Sequence, residues 1–328
     1  MLVEQIVVAM ISVFVFPGLI FTVALALFTQ YLIRKLSARF QRRMGPSYVG
    51  PFGVLQPFYD FLKLLRAKEL VRTRFSMVRV AEVSLIIGIA FLIVALTFLP
   101  ISIFRLQSEL DVFIFFYMAS VIPFIVKVIA SIAMPGPYTS IGVSRMLSMA
   151  TITEPAFFAS IVIPVYLASK QGNVPFMSLS SYVNVAKLWA NPVTAIILIL
   201  NLIAYIVSLQ AKAMYQPFNI PEAEQEIIAG FETEFSGPLL ALAKLFHDIE
   251  VSVSLLLGVY IFLGGPLPFN HLSVGGAIIM IIKYLVLVTI IAFIKNIMGR
   301  YRIEQALLQV FKYSLVPAII GAVVAMIV

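Results

Sequence analysis

Long apolar stretches separated by short polar segments dominate the chain. We read eight of them, at about 5–33, 80–104, 111–134, 145–169, 191–212, 238–263, 274–299 and 304–328. Each reaches the roughly 20 residues a helix needs to cross a hydrocarbon core of about 30 Å. The stretches lack the dyad alternation of barrel strands, and backbone groups in lipid must be paired internally, so the spans are expected to be helices. The first begins with no Lys or Arg ahead of it and carries Glu4, which predicts a retained span rather than a cleaved leader. The expectation is an all-α polytopic membrane protein, a single membrane domain over 1–328.

Two polar segments carry more pattern than a linker needs. In 51–66, PFGVLQPFYDFLKLLR, the residues Val54, Phe58, Phe61, Leu62 and Leu65 recur at helical spacing, with Asp60, Lys63 and Arg66 elsewhere on the wheel. That spacing predicts an amphipathic helix lying along the membrane. A second, outward-facing amphipathic piece is expected around Met177 to Trp189. Segment 213–237 instead carries Glu222, Glu224, Glu226, Glu232 and Glu234, interleaved with Phe218, Ile220, Ile227, Ile228 and Phe231. Charge runs are usually solvated faces, but carboxyl groups held against apolar surface take raised pKa values and can exchange protons.

Composition supports the membrane reading: of 328 residues, 62% are hydrophobic and 12% charged, with a mean hydropathy of +1.06. A soluble domain is closer to half apolar and a quarter charged. The net charge of +8 is unevenly spread. Arg34, Lys35, Arg39, Arg42, Arg43, Lys63, Arg66, Lys68, Arg72, Arg74 and Arg79 all lie between the first two spans, so that segment is expected in the cytoplasm. An even number of spans then puts both termini outside the cell membrane. Cysteine is absent and histidine is limited to His247 and His271, which rules out thiolate-bound iron–sulfur clusters and disulfides in this chain. Electrons, if involved, travel in another subunit.

Ionisable residues inside the spans are the remaining candidates: Glu82, Lys127, Glu154, Lys244, His247, Asp248, Glu250, Lys283 and Lys312. Each would cost about 2–3 kcal/mol or more facing lipid near the centre, so each should face the bundle, a wet cavity or a partner charge. Lys244 and Asp248 stand four apart, which predicts mutual neutralisation, while Glu82 and Lys127 are near enough to span ends to snorkel. Glu154 lies about 13 Å into its expected span and precedes Pro155, which frees a carbonyl beside it. It is the favoured proton-path group, with Lys283 and Lys312 as its expected counter-charges or relay partners. The arginines of Arg39-Phe40-Gln41-Arg42-Arg43-Met44-Gly45-Pro46 leave two readings open: an anchor on anionic lipid, or a contact with an acidic protein surface.

Two long motifs, QRRMGPSYVGPFGVLQPFYDFLKLLRAKE at 41–69 and PFNIPEAEQEIIAGFETEFSG at 217–237, resemble the H-type membrane subunit of respiratory complex I, called subunit 1 in mitochondria. Gly299-Arg300-Tyr301-Arg302-Ile303-Glu304-Gln305 resembles that family's Arg-rich entry to its last span. The likeness covers nearly the whole chain. Asn219 stands where the complex I members usually have Asp, Phe235 where Tyr is usual, and Thr153-Glu154-Pro155 replaces a Tyr-Glu pairing. The run Pro238 to Lys244 is more similar to the branch found in membrane-bound [NiFe] hydrogenases and sulfane sulfur reductase.

The resemblance implies a non-catalytic anchor and coupling subunit without a cofactor of its own. Its loops 34–79 and 213–237 would form the docking face, through Arg39, Arg42, Arg43, Gly45, Pro46, Gln56, Asp60, Lys63, Pro217, Phe218, Pro221, Arg300 and Arg302. The implied partners are a hydrogenase-like large subunit, iron–sulfur subunits that carry the nickel–iron and iron–sulfur centres, antiporter-like membrane subunits and the lipid bilayer, and not nucleic acid. Glu222, Glu224, Glu226, Glu232 and Glu234 would start a proton path continuing through Glu154, with Lys244, Asp248, Lys283 and Lys312 along it. The alternatives are the quinone-binding subunit of a true complex I and a standalone ion transporter.

Overall fold

The computed structural model describes residues 2–172, 174–270 and 273–327, so His271, expected in a loop, lies outside the described residues. Among the described residues there is no strand, and eight helical segments are long and apolar enough to cross a membrane. The first comprises α1 (Leu2–Phe14) and α2 (Leu19–Phe40), interrupted around Pro17 and Gly18. α2 continues past the expected end near 33, so Arg34, Lys35 and Arg39 ride on its last turns. The amphipathic helix is α3 (Gln56–Arg66); Val54 sits in the turn ahead of it rather than on its face.

α4 (Val78–Phe98) stops earlier than the expected 104, because Pro100 holds Leu99 extended at φ −72°, ψ 146°. The third span joins α5 (Asp111–Phe116) to α6 (Ile122–Ile132) through a π-turn at Tyr117–Val121, where the Ile122 N–H reaches back to the Tyr117 carbonyl. Pro123 follows and cannot donate to the Ala119 carbonyl four residues before it. α7 (Pro137–Gly172) is 36 residues long and starts well before the expected 145. Glu154 therefore lies about 25 Å along its helix rather than 13 Å. The extra turns are held because the acidic loop packs on them: a Cβ at Gly142 would collide with the Phe231 amide nitrogen.

The expected outward amphipathic piece is a 3-10 turn at Leu179–Asn184 followed by α8 (Val185–Ala190), tied down by Trp189 Nε1 donating to the Phe262 carbonyl at 2.8 Å. α9 (Pro192–Lys212) is capped by the Asn191 side chain, which accepts from the Val193 N–H. A single turn, α10 (Glu224–Ile227), marks the acidic loop. α11 (Gly237–Leu263) is the axis of the fold: 94% of its most apolar window is buried, and α2, α3, α4 and α12 (Val274–Ile297) pack around it. It ends at Gly264, whose φ of 69° is the left-handed cap that glycine adopts without strain. The last span joins α13 (Ile303–Val310) to α14 (Val316–Ile327) through a second π-turn at Phe311–Leu315, again just before a proline, Pro317. The first, seventh and eighth spans are each only 28% buried over their apolar windows, so they form the rim that meets lipid or neighbouring subunits.

Candidate functional site

Four spans deliver charge to one buried point. Glu250 on α11 receives Lys127 from α6 in a close ion pair, and Lys212 from the end of α9 at 3.6 Å. All three are nearly inaccessible, with side-chain exposures of 4–6%. Lys212 also donates to the Ala119 carbonyl and to Ser120 Oγ, each at 2.8 Å. The first is the carbonyl that Pro123 leaves without its helical donor, so the imino acid and the π-turn together prepare a seat for the lysine. Ser120 Oγ donates in turn to Glu154 Oε2 at 2.5 Å. The result is a continuous chain, Glu154–Ser120–Lys212–Glu250–Lys127, of two carboxylates and two ammonium groups. The Phe157 ring lies 4.7 Å from Lys212 Nζ and the Phe246 ring 5.7 Å from Lys127 Nζ, adding cation–π contact. Beside the chain is a cavity of about 30 Å³, room for one or two waters.

Pro221 walls that cavity, and the next residue, Glu222, faces a much larger space. Two adjoining cavities of about 740 and 760 Å³ share Arg34, Tyr215, Glu222, Glu224, His247 and Lys295 on their walls. Glu232 and Asp248 line the second. Lys295 Nζ sits 4.1 Å above the Tyr215 ring, which also meets His247 edge-on at 5.7 Å. Burial first, and then the neighbouring Glu232 carboxylate, push the Glu222 carboxyl up to about 8, against the pull of Lys127 and Lys295. Burial raises Glu232 as well, opposed by Lys244 and Lys127. Glu222 thus feels Lys127 on one side and the open chamber on the other.

Glu226 has a different place. It is exposed and clamped between Arg145 of α7, at 2.6 Å, and Arg300, and hydrogen bonding from Arg145 lowers its carboxyl pKa. It is a tie holding the acidic loop to α7 and to the entry of the last span, and Arg300 is spent on the same tie. Glu234 rests half-buried against Gly136, where a Cβ would meet its Oε1 at 2.5 Å. Lys244 and Asp248 are not an ion pair among the described residues; both line cavities instead.

Lys283 and Lys312 are not the counter-charges of Glu154. Lys283 Nζ donates to the carbonyls of Leu263, Gly265 and Leu267 at 2.6–2.9 Å, closing the open end of α11. Lys312 lies exposed on the rim in the second π-turn. Lys127 does not snorkel, and Glu82 is half-buried. The residues that do face Glu154, Ser120 and Lys212, were missed. The signal was present: a lysine ending a span, and a proline depriving a carbonyl of its donor on another.

The expected docking residues divide. Arg39, Arg42, Arg43, Lys63 and Arg302 are exposed, and Gly45 and Pro46 shape a turn secured by Lys35 Nζ on the Pro46 carbonyl. Asp60 is half-buried and engaged by Arg34 at 2.6 Å and by Gln56 at 2.8 Å, so neither Asp60 nor Gln56 is free for a partner. Pro217, Phe218 and Pro221 are buried: Phe218 meets Tyr301 edge-on at 5.9 Å, and the Pro217 carbonyl accepts from the Tyr301 N–H. Their apolar side chains are worth more inside the loop than on its surface. Among the described residues no group of three or more His, Asp or Glu is placed to hold a metal.

Comparison with known proteins adds the following. A family model described as NADH dehydrogenase matches residues 11–326. The H-type subunit of NADH-quinone oxidoreductase from Pelagibacter ubique (strain HTCC1062) is 29% identical over 282 residues, 84% of this chain and 81% of that one. A chain in the solved structure of the membrane-bound sulfane sulfur reductase, an archaeal respiratory membrane complex, shares the fold with a TM-score of 0.80 at 24% identity, covering 98% of this chain and 99% of that chain.

Proposed function

The chain belongs to the NADH dehydrogenase family, that of the H-type membrane subunit of complex I, and is a membrane subunit of a complex I-like assembly; from that premise we propose that it couples electron transfer in a peripheral redox arm to proton or sodium translocation. The observation that carries the proposal is the buried chain Glu154–Ser120–Lys212–Glu250–Lys127, reached from the acidic loop through Pro221 and Glu222. Buried charges in a membrane are costly, and a set that is linked internally and borders a small cavity walled by Pro221, next to Glu222 of the large chamber, has the form of a relay.

In this reading the peripheral subunits dock over the exposed Arg39, Arg42, Arg43 and Arg302. Their redox cycle alters charge or order around Glu222 and Glu232; burial raises both carboxyl groups, and Glu222, pushed up to about 8, can load and release a proton near neutral pH. A change there reaches Lys127, shifts the sharing of Glu250 between two lysines, and passes to Glu154. The iron–sulfur and nickel–iron centres are assigned to the partner subunits, and antiporter-like neighbours carry the ions. The concentration of Lys and Arg in segment 34–79 supports a cytoplasmic position for it, with both termini outside.

The hydrogenase and sulfur-reductase branch is favoured by Asn219 and Phe235 at positions where complex I members usually carry Asp and Tyr. The fold shared with the sulfane sulfur reductase chain agrees with it. The chamber of more than 700 Å³ favours a second reading, a quinone site, in line with the Pelagibacter relative's being a subunit of an NADH-quinone oxidoreductase. Stoichiometric quinone extracted from the purified complex would select that reading.

The coupling itself is tested with Glu154→Gln in the intact complex reconstituted into liposomes. Electron transfer should persist while ion pumping falls by about a hundredfold or more, the range of a lost proton-transfer group. Unchanged pumping per electron would reduce the chain to a structural anchor, and ion flux from liposomes holding this chain alone would make it a transporter.

A further inference from the structure

A cavity of about 230 Å³ lies between α2, α3 and the first half of α11, adjoining the chamber of about 760 Å³ through Gln30, Arg34, Lys244 and Asp248. Its apolar wall is built from Leu27, Phe61, Leu64 and Leu245. Its rim carries Lys63, Lys68 and Lys244, all exposed, and none of the three is ion-paired among the described residues. Four cationic side chains line it against two carboxylates, and one of those, Asp60, is already committed to Arg34. The space is rigidly framed. Gln56 and Arg34 fix Asp60 on α3, and the Val71 N–H donates to Ser236 Oγ at 2.8 Å, pinning the chain after α3 to the start of α11. α3 is amphipathic, the character of a helix that lies at a membrane surface, and packs beside the first span, one of the least enclosed helices.

Three ammonium groups without an ion pair among the described residues outnumber the one remaining carboxyl, Asp248, and above an apolar wall they have one simple complement, a phosphate anion attached to hydrocarbon. We propose that this cavity is a binding site for one anionic phospholipid. The phosphate is held among Lys63, Lys68 and Lys244, and the upper acyl chain lies along Leu27, Phe61 and Leu245. Free phosphate shares the anion chemistry but leaves the apolar wall uncovered, and a zwitterionic lipid brings its own cation against the lysines.

The test is native mass spectrometry of the full chain, delipidated in detergent and then supplied with phosphatidylglycerol or phosphatidylcholine. One phosphatidylglycerol per chain should be retained, phosphatidylcholine should not, and excess inorganic phosphate should fail to displace the lipid. Lys63→Gln/Lys68→Gln/Lys244→Gln should weaken retention by about a hundredfold, since three juxtamembrane cations are lost. The matching Lys→Arg triple should retain the lipid, as should Arg66→Gln/Arg72→Gln, which removes charge outside the cavity. Thermal melting of each variant separates a lost site from a lost fold. Equal binding of phosphatidylcholine, displacement by inorganic phosphate, loss in the Arg triple, or equal loss in the Arg66/Arg72 control would each overturn the proposal.

Discussion

At Glu250 two lysines close on one carboxylate, whereas at Glu222 a carboxyl shares its surroundings with a second acid, Glu232, on the wall of a cavity of about 760 Å³. Both regions hold ionisable groups away from the outer surface, one in the packed bundle and one on a cavity wall. The embedded cluster meets the cost by pairing Lys127 and Lys212 with Glu250 and by giving Glu154 the Ser120 hydroxyl, each across helices. The acidic loop leaves these two carboxyl groups without an ion pair among the described residues, and burial outweighs the more distant lysines and favours the protonated form. The contrast assigns different work to each. A paired cluster holds geometry and responds to small displacements, while an unpaired acid near its titration point exchanges protons with its surroundings. Glu226, clamped by Arg145 and Arg300, belongs to neither and keeps the loop seated on α7.

The most forceful way to break the contrast is to unbalance the cluster. Glu250→Ala leaves Lys127 and Lys212 buried without their shared carboxylate, and should cost on the order of 3–5 kcal/mol, read as a large fall in melting temperature or failed assembly. A variant that melts normally would mean the two lysines are not held as charges. Next, Glu154→Gln preserves an acceptor for Ser120, so it should leave melting nearly unchanged while ion pumping collapses. Equal loss of both would erase the distinction between relay and scaffold.

The loop side is sharpened by pH. The Glu222 carboxyl is raised from an ordinary 4.5 to about 8, so the folded state binds its proton more tightly than the unfolded chain does. Its contribution to stability is full below about 4.5 and is lost as pH rises towards about 8. Glu222→Gln should therefore flatten the stability profile across that window and remove one carboxyl stretch from infrared titration near pH 8. A profile identical to wild type would show that the group titrates as an ordinary acid. The smallest effect is expected at Glu226→Gln. It breaks an exposed tie worth at most about 1 kcal/mol, seen as faster proteolysis of the acidic loop with little change in melting.

Much of this was legible in the chain. The eight spans, the amphipathic helix at Gln56–Arg66 and the unusual acidic loop follow from hydropathy and spacing, because lipid and interface act on each segment separately. Pro100 ended α4 early and could have been read. The partners of Glu154 could not be reached by depth alone. Lys283 and Lys312 are also set deep in their spans, but one faces three carbonyls at the end of α11 and the other the rim. Likewise, residues 217, 218 and 221 sit in a conspicuous motif, and only packing shows that their side chains turn inward.

By itself, then, the sequence determined which segments cross the membrane, which of them lie at its surface and which residues carry charge, since these depend on local transfer energies along one helix at a time. Only the tertiary structure decided which charges meet. Lys127, Glu154, Lys212 and Glu250 come from four different spans, and their meeting depends on the rotation and depth at which each helix packs around α11. Those are set by contacts between segments far apart in the chain, and no single segment encodes them.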